Sequence, residues 1–470
     1  MMGRQTGDQA QLFYLFNLEG RIPATHLLRR INPIVTEVLA DLREKLASFY
    51  SDFGRPSIDP ELMIRMLMVG YCYGIRSERR LCEEVTLHLA YRWFCKLDLD
   101  DQVPHHSTFS VNRLGRFRES DILRHIFERA VTACMAAGLV NGEGFAVDAS
   151  VIEANASRYH CKSPDDLNWT DAQQQKRAVA EYLTALDVEA QTKAEADDAS
   201  DEPEGRPRKT PKCISMSDPQ SAWTAKANKR VLFGYGLNYL IDIKHAVIVD
   251  VEATPARTYD EVAATKTMID RTERRFDLKP KQLAADTAYG TGRFLAWLVK
   301  EKRITPHIPV CEKGEREDGT FSRSTFTFDK RRDFYRCPAG KKLTTTGHVH
   351  SNRTIQYCAS VPDCRACALK LQCCPNMPAR RLVRDVDEDA RNVARRKMKT
   401  KAFFRSRNQR KKVEMRFAHL KTHHRFERLR LRGLSGARDE FHLAAIVQNL
   451  KTMAFRLFDP PIQPRRIAVA

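Results

Sequence analysis

The sequence has no apolar run long enough to cross a membrane. Its longest stretch without a charged residue is Ala130 to Gly142, 13 residues, whereas a membrane-spanning helix needs about 20. The amino terminus reads MMGRQTGDQAQLFYLFN and has no apolar core followed by small residues, so it does not predict a signal peptide. We therefore expect a protein without membrane partners, located in the cytoplasm.

Acidic residues are also in short supply. The 59 Asp and Glu face 79 Lys and Arg, which gives a formal net charge of +20. Residues 391–432 alone hold seventeen bases and two acids. A segment this one-sided repels itself unless something anionic lies alongside, so a nucleic-acid contact explains it better than a solvated helix face.

Several common site patterns are missing. No internal repeat divides the chain. Gly290 and Gly292 form only a lone G-x-G, too short for a nucleotide-binding loop, and a turn explains them. No cysteine or serine stands at a recognisable nucleophile elbow. We therefore interpret the paired histidines as surface or DNA-contacting residues; they are His105, His106, His423 and His424.

The arrangement of apolar residues predicts a helical region followed by a mixed sheet. Residues 24–140 show helical spacing, with Asp59 as an N-cap and Pro60 at the first position of one helix. From Gly144, three β-rich runs predict an antiparallel meander, with Lys244 and His245 in a tight connection. Helix, strand, helix and strand follow. This order predicts an α/β fold, a ribonuclease H-like mixed sheet with flanking helices.

Three acids are candidates for a metal site. Asp148 ends the apolar run GFAV and Asp286 ends QLAA, so each is expected where a strand opens into a loop. Buried carboxylates are costly unless they are paired or bind a cation, and their oxygens suit a hard cation. Glu414 is the third, because Arg410, Glu414 and Lys421 are spaced to share one helical face.

Each acid also has an ordinary explanation. Asp148 could cap a turn, Asp286 could begin the loop before the next helix, and Glu414 could pair with Arg410. Other acids on the same strands compete for the role, and we expect strand-end salt bridges for them instead; they are Glu153, Asp242 and Asp250.

The order of these motifs resembles the DDE transposases of bacterial insertion sequences. The R-x3-E-x6-K spacing of Arg410, Glu414 and Lys421 is similar to the family signature Y-x2-R-x3-E-x6-K. The likeness continues in VDAS, LAADTAYGTG, DPQSAWTAK, PHHSTFSVNR and GRPSIDPELMIRMLMVGYCYGIRSERRLCEE, and spans about residues 25–457. The chain departs in having Arg407 at the tyrosine position, and in the Ala149 that follows the first aspartate. Neither change removes a metal ligand.

The resemblance implies a transposase that cleaves DNA at the terminal inverted repeats of a mobile element and transfers the strands. The catalytic residues would be Asp148, Asp286 and Glu414, holding two Mg²⁺ or Mn²⁺ ions roughly 4 Å apart. The partners would be double-stranded DNA, at transposon ends and target, and further copies of the chain in a homodimer or higher assembly associated with the nucleoid. The residues expected to contact DNA are Lys226, Arg407, Arg410 and Lys421. The alternatives are a catalytically silent DNA-binding descendant and a nuclease on the same fold.

The resemblance and the charge map together divide the chain. We expect an N-terminal helical domain for DNA binding or dimerisation at 1–140. The ribonuclease H-like core would comprise 141–311 and 401–460, interrupted by an acidic helical insertion at 160–212. A cysteine-rich, zinc-ribbon-like insertion would occupy 312–400.

Six of the 13 cysteines lie between Cys337 and Cys374. Cys364 and Cys367 form a C-x2-C knuckle, which strongly indicates a structural Zn²⁺ site. The resemblance favours Cys337 and Cys373 as the second pair. Other candidates are Cys358, Cys374, His348 and His350, and a cluster of reduced thiols without metal is the alternative. We interpret the scattered cysteines as small buried apolar residues; they are Cys72, Cys82, Cys95, Cys134, Cys161, Cys213 and Cys311.

Overall fold

The computed structural model describes residues 16–50, 53, 57–196, 211–225, 230–311 and 318–458. Lys226 and part of the acidic insertion lie outside these ranges. The chain divides into two compact units, the first formed by Met1–Asn141, Asp148–Lys279 and Lys412–Ala470, and the second by Gly142–Val147 and Pro280–Lys411. None of the helices in these ranges is both long and apolar enough to cross a membrane.

The elements follow one another in mixed order. The helices are α1 (Leu18–Arg21), α2 (Leu27–Val38), α3 (Leu42–Leu46), α4 (Pro60–Tyr73), α5 (Glu78–Leu87), α6 (Leu89–Phe94), α7 (His106–Leu114), α8 (Arg116–Glu119), α9 (Ile122–Ala136), α10 (Asp171–Gln174), α11 (Arg177–Ala196), α12 (Thr258–Phe276), α13 (Gly292–Ala296), α14 (Val361–Arg365), α15 (Lys370–Cys373), α16 (Glu388–Met398), α17 (Lys401–His423) and α18 (Gly433–Phe458). The strands are β1 (Phe145–Glu153), β2 (Cys161–Lys162), β3 (Ile214–Ser215), β4 (Ala222–Thr224), β5 (Leu232–Asp242), β6 (Ile248–Pro255), β7 (Gln282–Ala284), β8 (Thr305–His307), β9 (Thr327–Asp329), β10 (Phe334–Arg336), β11 (Lys342–Thr344), β12 (Val349–His350), β13 (Thr354–Ala359) and β14 (Arg381–Asp385).

Helix α4 begins and ends where its sequence directs. The Asp59 side chain accepts the N–H of Glu61 at 2.7 Å, Pro60 occupies the first position, and Gly74 ends the helix in the left-handed conformation. All residues from Met63 to Cys72 are buried. The helix is therefore an internal element of the first unit, and its buried charge, Arg65, is paired with Glu61 at 2.8 Å.

Helix α18 forms the centre of the first unit, where it packs against α2, α4, α9 and β6. Two of its buried polar side chains, Glu440 and Asn449, form hydrogen bonds with neighbouring backbone. The Glu440 carboxylate accepts the N–H groups of Arg430 and Leu431, each at 2.7 Å. Asn449 exchanges two 2.8 Å hydrogen bonds with the backbone of Ile248 on β6. The Asn449 bonds fix α18 against the sheet, whereas Gln448 of the same helix donates to the Arg416 carbonyl at 2.9 Å and leaves its Oε1 without a partner among the described residues.

The larger sheet has the strand order β4-β5-β1-β7-β8, with β6 also paired to β5. Strands β5 and β6 are antiparallel and turn at Lys244 and His245, whereas β7 is parallel to both β1 and β8. Helix α12 packs on β5 and β6. The predicted mixed α/β sheet with flanking helices is confirmed at this level.

The second unit contains a smaller antiparallel sheet of order β12-β13-β11-β10-β9, with β14 paired to β13. Its core is aromatic: Tyr335 and Tyr357 meet edge to face with ring centroids 5.1 Å apart, and Leu343 is wholly buried beside them. Cys373 and Cys374 belong to the same buried cluster. The cysteine-rich segment thus has a core of its own.

Two of the scattered cysteines are joined in a disulfide, which the sequence interpretation did not anticipate. Cys161 on β2 bonds to Cys213, just before β3, with Cα atoms 5.7 Å apart. The β2–β3 ladder, in which Cys161 lies opposite Ser215, brings the two residues together. Cys311 is exposed, and Cys82 is half-buried. Only the remaining three fit the prediction of burial, namely Cys72, Cys95 and Cys134.

Candidate active site

Asp148 lies within β1 and not at its end. The strand continues to Glu153 because the residues after Asp148 alternate between buried and half-buried positions, as a strand with one covered face requires. The expectation that Asp148 follows a strand is therefore wrong. Its carboxylate is half-buried, and the N–H of Ala149 donates to its Oδ1 at 2.9 Å.

Asp286 lies two residues beyond β7, as expected. It caps a short 3-10 turn, Thr287–Tyr289, by accepting the N–H of Ala288 at 2.8 Å, and its side chain is half-buried. The two glycines that follow are required by close packing. A Cβ on Gly290 would collide with the Pro309 carbonyl, and one on Gly292 with the Asp385 carboxylate. The lone G-x-G is thus a structural feature of the loop that holds Asp286.

Helix α17 carries the predicted apolar stripe. Val413, Phe417 and Leu420 are all buried, and the Phe417 ring stacks on Tyr239 of β5 with centroids 4.9 Å apart. Glu414 is exposed and lies beside this stripe, about 100° around the helix axis from Val413. The carboxyl-terminal half of α17 is therefore docked on the sheet with Glu414 accessible to solvent.

Lys421 ties α17 to β1. Its Nζ donates to Ser150 Oγ at 2.8 Å and to the Val151 carbonyl at 3.0 Å. Ser150 lies two residues after Asp148, so the cation is fixed near the first candidate acid. The sequence analysis missed Ser150, because nothing in its pattern distinguishes it from a strand serine.

Two further cations of α17 hold the β5–β6 turn. Lys412 Nζ donates to the carbonyls of Ile243 and Lys244 at 2.7 and 2.9 Å, and Arg416 Nε donates to the Ala246 carbonyl at 3.0 Å. Burial lowers the pKa of Lys412. Lys412 and Arg416 therefore have structural roles. Part of the positive charge of α17 contacts the protein's own backbone.

The competing acids have structural roles. Asp250 is wholly buried in β6 and pairs with Arg124 at 2.6 Å and Arg271 at 2.8 Å. Glu153 pairs with an exposed arginine of the segment after α17 at 3.8 Å. Asp242 accepts the backbone N–H of Lys244 at 2.9 Å and so caps the hairpin turn. Salt bridges therefore occur at two of the three, and a turn cap at the third.

The other predicted site residues are placed as follows. Arg407 is exposed and Arg410 is half-buried on α17, while Lys226 is not among the described residues. Across the described ranges, no three or more His, Cys, Asp or Glu side chains are arranged so that they could hold a metal ion.

Cysteines of the second unit nevertheless line one small cavity. Its volume is about 20 Å³, which is of the order of the space that one water molecule needs. It is lined by Cys337, Cys364, Cys367, Cys373 and Cys374. Burial raises the pKa of Cys373 to about 11, with a further contribution from Cys374. Thiols are the donor atoms that structural Zn²⁺ sites use, although among the described residues no three of these side chains are arranged as a set of metal ligands.

Comparison with known proteins gives two family matches. Residues 16–114 match the model described as a transposase domain (DUF772), and residues 336–454 match the model described as a transposase DDE domain. Among solved structures, the chain is similar to the piggyBac transposase in its synaptic complex with hairpin DNA, with 9% identity, a TM-score of 0.33, and coverage of 93% of this chain and 82% of that chain. No curated protein matches significantly.

Proposed function

We propose that this chain is a DNA transposase of the DDE type, a proposal that its two matched domains support. In our proposal it moves a bacterial insertion sequence, cutting DNA at the terminal inverted repeats and joining the freed ends to a target. Its catalytic core is ribonuclease H-like. The strand order supports this assignment, because β1 lies at the centre of the larger sheet between an antiparallel pair and two parallel strands.

The catalytic acids in this proposal are Asp148, Asp286 and Glu414. In the β1–β7 ladder, Ala146 lies opposite Ala284, and the two aspartates each follow these residues by two positions. Parallel neighbours with a common register carry such side chains to the same region of a sheet. This register supports a shared role for the two aspartates.

The observation that carries the proposal is the contact of Lys421 with β1. Lys421 holds one face of α17 against Ser150 and Val151. Glu414 lies seven residues earlier on the same face, about 10 Å along the helix axis. Because Asp148 precedes Ser150 by two residues, the helix face that bears Glu414 is attached to the strand that bears Asp148.

In this proposal the three carboxylates would hold divalent metal ions, which DDE domains use. Their oxygens are hard ligands, two of the acids are half-buried and Glu414 is exposed, so the group is accessible to DNA. When bound, such ions activate the attacking oxygen and stabilise the leaving oxygen of a phosphodiester. The three acids would hold the metal ions in position, and their negative charge would offset that of the surrounding Lys and Arg side chains. A freed 3′-hydroxyl can then attack target DNA in the same site, since each bond broken is replaced by one of the same kind.

The cations of α17 divide into two groups. Arg407 and Arg410 would contact phosphates, Arg410 with the two-pronged geometry of its guanidinium. Lys421 would act chiefly by holding the helix, because two of its three donors are used by β1. Lys226 remains a proposed DNA contact on the basis of the DPQSAWTAK resemblance alone.

We also propose a structural Zn²⁺ in the cysteine cavity. Cys337, Cys364 and Cys367 would be ligands, and Cys373 or the adjacent Cys374 the fourth, because both line the cavity. The alternatives Cys358, His348 and His350 do not line it among the described residues. Bound zinc would hold the thiols as thiolates and so stabilise the smaller sheet. This basic, zinc-ribbon-like part could lie against DNA.

Transposition requires that two DNA ends be paired, so we propose a homodimer or larger assembly on double-stranded DNA at the nucleoid. A test with purified protein separates this function from its rivals. A donor fragment carrying the genomic ends of the element, a target plasmid and Mg²⁺ are combined, and the products are sequenced. A transposase gives donor strands joined to target, a nuclease gives cut donor without joining, and a silent DNA-binding protein gives neither. Absence of joined products would overturn the proposal.

A further inference from the structure

A large open cavity lies in the first unit beyond the end of β1. Its volume is about 680 Å³, within the roughly 300–1,000 Å³ of pockets that hold small molecules or single residues of a polymer. From Asp148 to the end of β1 at Glu153 is about 17 Å at the rise of a strand. The cavity is therefore separate from the proposed catalytic acids.

The walls of this cavity are strongly basic. Lys162, Lys176, Arg428 and Arg432 all line it, and its described lining residues include no carboxylate. Lys162 and Lys176 are exposed and form no ion pair with any described residue. Arg428 also pairs with Glu153 at 3.8 Å. Four cations on one concave surface nevertheless favour an anion of several charges, and a phosphodiester chain has that character.

One wall is built rigidly from the segment between α17 and α18. This segment pairs with the end of β1, where Leu429 donates to the Glu153 carbonyl at 2.7 Å. Asn155 Nδ2 donates to the Arg430 carbonyl at 2.8 Å, and Arg432 Nε to the Asn155 carbonyl at 3.0 Å. The backbone of this segment and the Arg432 side chain are thus held before any ligand arrives, which lowers the entropic cost of binding.

The opposite wall is fixed by the β2–β3 ladder and the disulfide. Cys161 lines the cavity and is bonded to Cys213, and Met216 donates to the His160 carbonyl at 3.2 Å. This wall presents an aromatic ring. Tyr159 lines the cavity and is 77% exposed, with the Arg158 guanidinium over its ring at 4.7 Å from the centroid.

We infer that this cavity binds a nucleotide of an unpaired DNA strand, with its base stacked on Tyr159 and its phosphates held by the surrounding cations. An exposed aromatic ring among converging cations is the arrangement by which proteins bind single strands without sequence preference. A paired base has no free face to stack on the ring, so duplex DNA uses only the cations. The inference rests on the proposed function, since strand cleavage exposes unpaired ends.

The test compares the affinity of the full-length chain for a fluorescent 12-nucleotide oligothymidylate and for a duplex of equal length, by anisotropy. Tyr159→Ala is expected to weaken oligothymidylate binding about five- to hundred-fold and to change duplex binding less than about two-fold. Tyr159→Phe retains the ring and is expected to restore the affinity. Equal losses for both DNAs, or no loss for oligothymidylate, would overturn the inference.

The cations are tested through the salt dependence. Lys162→Ala with Lys176→Ala is expected to flatten the slope of log affinity against log salt by about 1.4 for oligothymidylate, at roughly 0.7 for each lost phosphate contact. Lys281→Ala, at an exposed lysine of the second unit, is the matched control and should leave the slope unchanged. An unchanged slope in the double variant would contradict the assignment of these lysines.

The two proposals fail separately. Asp148→Asn is expected to retain the oligothymidylate affinity, because Asp148 does not line the cavity. If single-strand binding depends on Tyr159 but no strand transfer occurs, the proposed function fails and the cavity assignment stands. If strand transfer occurs without this dependence, the reverse holds.

Discussion

At the scale of single residues, Lys421 illustrates how position changes the meaning of a charge. The motif spacing favours a phosphate contact, whereas the structure places the ammonium between Ser150 and Val151 on β1. A lysine with two donors used by the protein contributes more to helix placement than to DNA affinity. Residues of one motif can therefore support the same site in different ways.

Asp218 is a second residue with a role that the sequence does not reveal. It is wholly buried, and it accepts hydrogen bonds from the Tyr235 hydroxyl and from the N–H of Gly433 at 3.2 Å. Burial raises its pKa from 3.8 to about 6, against the opposing effect of the Tyr235 hydrogen bond. Asp218 thus links β5 to the start of α18.

This raised pKa gives a prediction for stability against pH. A carboxyl whose folded-state pKa exceeds its unfolded value favours the fold below about pH 4, and that contribution is lost as pH rises through about 6. Asp218→Asn keeps both acceptor bonds but cannot ionise. Between pH 4 and 7 the wild type is expected to lose about 3 kcal/mol of unfolding free energy as Asp218 ionises. The variant is expected not to show this loss. Urea unfolding at the two pH values measures this, and identical pH dependence in both proteins would contradict the assignment.

At the scale of elements, the docking of α17 should control both stability and the site. Phe417 is buried against Tyr239, whereas Met415 on the same helix is 69% exposed. Phe417→Ala is expected to lower the unfolding free energy by about 3–5 kcal/mol, and Met415→Ala by less than about 0.5 kcal/mol. Chemical denaturation checks both. Equal effects of the two substitutions would show that the stripe does not hold the helix.

The zinc proposal is also tested at this scale. Cys364→Ser with Cys367→Ser removes the knuckle, and Cys311→Ser, at an exposed cysteine of the same unit, is the control. We expect one zinc ion per chain in the wild type and in the control, and none in the double variant, because the knuckle supplies two of the four proposed ligands and the thiols left in the cavity bind zinc weakly. Elemental analysis of protein purified without added metal measures the content. A wild-type chain without zinc would favour the cluster of reduced thiols.

The sequence predicts best the elements whose determinants are local. Asp59 and Pro60 mark the start of α4, and the stripe of Val413, Phe417 and Leu420 predicts which side of α17 is buried. Such signals come from residues that lie within two or three helical turns of one another. For the same reason, the β5–β6 hairpin could be predicted from its two apolar runs and their short connection.

Features that depend on distant contacts could not be predicted in this way. The length of β1 beyond Asp148 depends on its neighbours in the sheet. The pairing of Cys161 with Cys213 depends on the β2–β3 ladder, because the two cysteines are 52 residues apart in the sequence. The strands of the smaller sheet are short, and four of the six have three residues or fewer, so their alternation is too weak to detect. From the sequence, Lys412 and Arg416 can be recognised only as members of a run of bases. Their structural role could not be predicted, because the carbonyls that they contact belong to a hairpin far away in the chain.

At the scale of the whole molecule, positive charge serves three purposes. Part of it, including Lys412 and Arg416, stabilises the fold, part would contact duplex phosphates on α17, and part lines the cavity beyond β1. The net charge of +20 therefore overstates the charge available for DNA. The salt dependence of duplex binding should accordingly correspond to fewer phosphate contacts than the seventeen bases of residues 391–432 suggest.

The central claim is that Asp148, Asp286 and Glu414 act as one metal-dependent catalytic group. The most direct measurement is the rate of Mg²⁺-dependent strand cleavage at the element's ends by Asp148→Asn, Asp286→Asn and Glu414→Gln, alongside the affinity of each variant for the same DNA. Asparagine at position 286 can still accept the N–H of Ala288, so the change removes charge and preserves the turn. Glu427→Gln, at an exposed acid of the same basic segment, is the control.

We predict that each of the three substitutions abolishes cleavage while DNA affinity stays within about three-fold of wild type, and that the control cleaves normally. Cleavage that survives in any one of the three variants would contradict the claim for that acid. Survival in all three would remove the proposed catalytic group.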